Sequence, residues 1–86
     1  MSRTRELTLQ ERSTIICALA LTRSEHYRKA NSLHAEACEM EDAGMVGYIS
    51  VENEGEQHEI AADICDLLIY LVSEDRLLII EREDFR

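Results

Sequence analysis

No proline interrupts this chain, and its three glycines, Gly44, Gly47 and Gly55, all fall within one short stretch. Proline is the strongest helix breaker and glycine the next. Everything before Gly44 and everything after Gly55 is therefore free to be helical, and the backbone encodes one bend. The fold class that follows is all-α: a long antiparallel helical hairpin in a single domain, with a short C-terminal element of uncertain kind.

The ends of the first helix are marked. In "LTLQE" Thr8 can cap the backbone while Glu11, three residues on, reaches back to it, the capping-box arrangement. Gly44 closes the helix because it takes the left-handed conformation cheaply. Helix one is thus expected over about 8–43. Along it Ile15, Leu19, Ala30, Leu33, Ala37 and Met40 recur at three- and four-residue steps and form one apolar stripe. Helix two carries a stripe of Ile60, Ile64, Leu67 and Leu71, which is expected to be its core face, and at "LLIYLV" the opposite face is apolar too, through Cys65, Ile69 and Val72. Its start is open. Residues 44–55 can be helix, strand or loop, so helix two begins near 48 or near 56 and ends near 73. The tail, 76–86, contains the run "LLII", a strand, a docked extension or an arm on a neighbouring chain.

With hydrophobic residues at 45% the chain is too apolar for disorder. "IICALAL" and "LLIYLV" are well short of the roughly 20 apolar residues that span a bilayer, and the charged start does not read as a secretory signal. Three cysteines with no framework spacing fit reduced thiols. The expected setting is cytoplasmic, with no membrane contact. In a tight hairpin "IICALAL" lies beside "LLIYLV", and both keep apolar surface after packing on each other. Self-association as a dimer or larger assembly is expected there, through Ile15, Ile16, Leu19, Ile69 and Val72.

The formal charge of −9 is unevenly placed. Residues 30–75 contain twelve acidic side chains and neither Lys nor Arg. Such a stretch cannot neutralise phosphates, which argues against direct nucleic-acid binding. It suits a protein partner with a basic surface. On that reading the binding residues are Glu52, Glu54, Glu56 and Glu59, together with Glu36 and Glu39, and no cofactor is needed.

Glu36 with Glu39, and Asp63 with Asp66, each lie nearly one turn apart on one side of a helix. Carboxylates on facing helices can hold Mg²⁺ while leaving room for water and phosphate. "LHAEACEM" followed by "HEIAADICDLLIYL" resembles the signature of the all-α, MazG-like nucleoside triphosphate pyrophosphohydrolases. That resemblance implies an alternative function, splitting a nucleotide into a monophosphate and pyrophosphate, with Glu36, Glu39, Asp63 and Asp66 as the Mg²⁺ ligands. Asp63 stands where the family has a glutamate. Geometry decides whether the pairs can meet. If helix two starts just after Gly47, Asp63 falls opposite residues 22–25 and Glu36 lies on the order of 20 Å away along the axis, at 1.5 Å per residue. If 44–55 is a true loop, the pairs can meet in one chain.

"LTLQERSTIICALAL" followed by "HYRKANSLHAEA" is similar to small helical-hairpin proteins of unknown function from phage and prophage genes. This resemblance implies an accessory protein, an inhibitor or adaptor that acts by contact with a host or defence factor. The two classes of function, contact and catalysis, differ in one requirement: only catalysis needs both carboxylate pairs within one metal-binding radius.

Overall fold

A computed structural model describes residues 2–82 and is a helical hairpin closed at its open end by a two-stranded ribbon. The elements are β1 (Ser2–Glu6), α1 (Leu9–Asp42), α2 (Tyr48–Ser73) and β2 (Leu78–Arg82). The particle is a rod of 58 × 25 × 18 Å. Among the described residues no helix is long and apolar enough to cross a membrane.

Both ends of α1 are built from the residues that mark them in the sequence. The Thr8 hydroxyl accepts from the Glu11 backbone N–H at 3.1 Å, and the Glu11 carboxylate accepts from the Thr8 N–H at 2.9 Å. At the other end the Met45 N–H reaches back to the Met40 carbonyl at 2.8 Å and the Gly44 N–H to the Glu41 carbonyl at 3.0 Å. With Gly44 at φ +70°, these two bonds form a Schellman turn. Gly47, at φ +103°, then starts α2 without a side-chain cap. The same device ends α2, where the Arg76 N–H returns to the Leu71 carbonyl and Asp75 takes the positive φ of 56°. Arg12 of α1 forms an ion pair with Asp75 across this second turn.

The turn is tight and α2 starts at Tyr48, so the stretch 48–55 is helix. The tail run is a strand, and its partner is the chain's own N-terminus: β1 and β2 are antiparallel, with Thr4 opposite Ile80 and Glu6 opposite Leu78. Arg5 joins the ribbon to α1 through two parallel bonds of 2.7 Å to the Glu11 carboxylate. Glu11 therefore serves the helix cap and the ribbon together. The Arg5 guanidinium, helped by the Thr8 N–H, holds its carboxyl at about 2, well below the usual carboxylate range.

The helix–helix seam differs from the expected one. The fully or nearly buried residues of the hairpin are Ala30 and Ala37 on α1 and Gly55, Ala62, Cys65 and Val72 on α2. Gly55 and Ala62 are seven residues apart, as are Cys65 and Val72, the spacing of an antiparallel coiled coil. Ile15, Leu19, Leu33 and Met40 are half-buried along the seam. The α2 stripe expected to be the core face is not: Ile60, Ile64 and Leu67 are 52%, 52% and 56% exposed. The reason is size. Two helices share one interface, and the α1 face that fills it has alanine at its centre. Gly55 and Ala62 let α2 come close, whereas the larger aliphatic stripe would hold the axes apart. Gly55 shows the close approach directly, since a Cβ built there would sit 3.1 Å from the His34 ring.

One of the residues expected to mediate self-association is also displaced. Val72 has no exposed surface and packs within the chain, so its side chain is not free to meet another copy. Ile15, Ile16, Leu19 and Ile69 keep partial exposure.

Candidate interaction surface

The hairpin divides along its length into two chemical zones. The distal zone, around the turn, takes in the last turns of α1 and the first turns of α2. It presents Glu36, Glu39, Glu41 and Asp42 on α1 and Glu52, Glu54, Glu56 and Glu59 on α2, all exposed. His34 donates to Glu59 at 3.2 Å. Glu52, Glu54 and Glu56 have no ion-pair partner among the described residues, because no Lys or Arg lies within residues 30–75 to provide one.

Inside this acidic belt sits an apolar tip. Val46 is 98% exposed, and Met45 and Ile49 are each more than half exposed. A turn held by two glycines and a backbone hydrogen-bond pair leaves these side chains no interior to enter. Sequence reasoning identified the belt but missed the tip. The available signal was the step from Val46 to Ile49, which reads equally well as the start of a helix or as a short strand.

The proximal zone carries a polar cluster along one edge of the seam. Arg23 donates to Asp66 at 2.7 Å, and the Tyr27 hydroxyl lies 3.2 Å from both Asp63 and Asp66. The Arg23 hydrogen bond lowers the Asp66 carboxyl below its ordinary value. Asp66 in turn raises the Arg23 guanidinium. Desolvation first, and then the Asp66 hydrogen bond, raises the Tyr27 phenol. On the seam itself the Nδ1 atoms of His26 and His58 are 2.8 Å apart, one donating and the other accepting. A shallow groove of about 330 Å³, lined by Thr8, Gln10, Glu11, Thr14, Ile15 and Ile79, lies between the ribbon and the start of α1.

These positions separate the two carboxylate pairs. Asp63 and Asp66 face Tyr27 and Arg23, whereas Glu36 lies nine residues beyond Tyr27 and thirteen beyond Arg23. At 1.5 Å per residue Glu36 is about 14–20 Å, and Glu39 about 18–24 Å, from them along the rod. The chain takes the tight-turn form, and the looped form that would join the pairs in one chain is not adopted. Among the described residues no group of three or more His, Cys, Asp or Glu side chains is placed to hold a metal ion. Asp66 already has a cation beside it in Arg23, a basic residue that the sequence places far from the pair and the fold brings to it.

Compared with protein-family models, with curated proteins and with solved structures, the chain finds no match to any.

Proposed function

We propose that the protein acts by contact, as an acidic helical-hairpin module whose tip binds a protein partner with a basic surface. The observation that carries this reading is the arrangement at the turn: Met45, Val46 and Ile49 exposed together inside a belt of carboxylates that has no Lys or Arg. An apolar centre with a polar rim is the usual anatomy of a protein-binding patch, the centre supplying affinity and the rim selecting partners by charge. Glu52, Glu54, Glu56 and Glu59, with Glu36 and Glu39, are the rim. The partner is a protein with an apolar pocket bordered by Lys and Arg. The likeness to phage hairpin proteins makes a host or defence factor the class of partner, and inhibitor or adaptor the role. A reducing, cytoplasmic setting fits three free thiols, two of them exposed.

The test compares proteins that co-purify with the wild type, with Val46→Asp and with the triple variant Glu52→Lys/Glu54→Lys/Glu56→Lys. All are purified from the cells that naturally produce the chain, with helicity checked by circular dichroism. Like-charge contacts in an interface cost several kcal/mol, so affinity for the specific partner should fall on the order of a hundredfold or more in the triple variant. Val46→Asp should lose the same partner by removing the apolar anchor. Undiminished retention of the same proteins by both folded variants would refute the tip as the binding site.

A further inference from the structure

We propose that the hairpin pairs with a second copy of itself through the outward face of α2, centred on Ile64, to form an antiparallel dimer in which the two α2 helices pack on each other. This surface is separate from the tip and does not rest on the function proposed for it.

The starting observation is that α2 is apolar on two opposite faces. One, from Gly55 through Ala62 and Cys65 to Val72, is buried against α1. The other, Ile60, Ile64 and Leu67, continues towards Leu71 and lies roughly 160° away around the helix at 3.6 residues per turn. The three lead residues are more than half exposed, although they are larger and more apolar than the residues in the seam. The outward face of α1 has no such stripe: Leu21 stands there among Thr14, Ser24, Glu25, Arg28 and Ser32.

The amount of exposed surface fits a second layer on this face. The chain exposes 6674 Å², whereas a compact monomer of 9.9 kDa exposes about 5,200 Å². The radius of gyration is 18.5 Å against about 12 Å for a globular domain of this length. The excess, about 1,500 Å², is of the size that one subunit buries in an obligate dimer, about 1,000–2,500 Å². A single layer of two helices with alanine and glycine at its centre encloses little core, and Val72 is its one large, fully buried side chain among the described residues. A second hairpin covers the open face of α2 and encloses that helix on both sides.

The occupant is a second copy because the stripe is self-complementary and charge sets its direction. Ile60, Ile64 and Leu67 of one copy can interdigitate with the same residues of the other around a two-fold axis. Parallel pairing would stack two acidic tips, eight carboxylates on eight, with no Lys or Arg between them. Antiparallel pairing about Ile64 sends the tips to opposite ends.

The test is the solution mass of the full chain by light scattering, with thermal unfolding followed at several protein concentrations. The expected results are a mass twice 9.9 kDa and a melting temperature that rises with concentration, because folding and pairing are one event. Ile64→Lys and Leu67→Lys should lose the dimer or fail to fold. Leu21→Lys, on the outer face of α1, should keep it. A folded wild type of 9.9 kDa whose melting temperature ignores concentration would overturn the proposal, and so would a dimer that survives both lysines. Spin labels attached through a ketone side chain at residue 50 report the direction. The antiparallel dimer places them about 40 Å apart, and a separation under about 20 Å would mean tips side by side and overturn the direction.

Discussion

Ala62→Leu is expected to lower the stability of the hairpin by roughly 3 kcal/mol, the upper end of the cost of overpacking. Ala62 has no exposed surface and sits at the centre of the seam, with Gly55 one heptad before it and Cys65 one turn after. Three added heavy atoms there cannot turn towards solvent. They must push α1 and α2 apart, and parted helices lose contact along the seam as well as at one residue. For a chain of this length the melting temperature should fall by about 12 °C or more. Ala35→Leu adds the same atoms on an exposed position of α1 and should change stability by less than about 0.5 kcal/mol. Equal effects of the two substitutions would mean that the seam is not set by small residues.

The second large effect is at the turn. Gly47→Val is expected to cost about 2–3 kcal/mol, with no contribution from crowding. The backbone there has φ +103°, where a β-branched residue is strongly disfavoured. A Cβ built on Gly47 meets no atom within 4 Å. The cost is therefore conformational, and Gly47→Asn should recover part of it because asparagine tolerates positive φ better than other side chains. Chemical denaturation of the three proteins checks the order glycine, asparagine, valine. A valine variant as stable as the wild type would show that the turn does not depend on this conformation.

These two sites mark where sequence reasoning succeeds and where it stops. The limits of α1 are legible because each is made by local chemistry: Thr8 with Glu11 at the start, Gly44 at the end. The two-helix architecture is legible for the same reason, since proline and glycine act on the backbone next to them. The seam is not. Hydrophobicity favours Ile60, Ile64 and Leu67 for the interior, but closeness of approach favours Gly55 and Ala62, and that preference depends on what α1 offers opposite. Ile64 and its neighbours are the better core residues for an assembly and the worse ones for a lone hairpin. β1 is not legible either. "SRTRE" has no apolar alternation, and it becomes a strand because β2 pairs with it and Arg5 anchors it to Glu11. The fate of the carboxylates turned on one local fact, the start of α2 at Tyr48, which the sequence left open between 48 and 56.

Whether this protein acts by contact or by catalysis is tested most directly by pyrophosphate release from a panel of nucleoside triphosphates with Mg²⁺ and with Mn²⁺. Asp63 and Asp66 are held by Tyr27 and Arg23, and Glu36 and Glu39 lie about 14–24 Å away along the rod. The expected result from folded wild-type protein is no release above the rate without protein. Turnover that disappears in Asp66→Asn while helicity is retained would contradict the account, and would require two chains to bring the carboxylate pairs together.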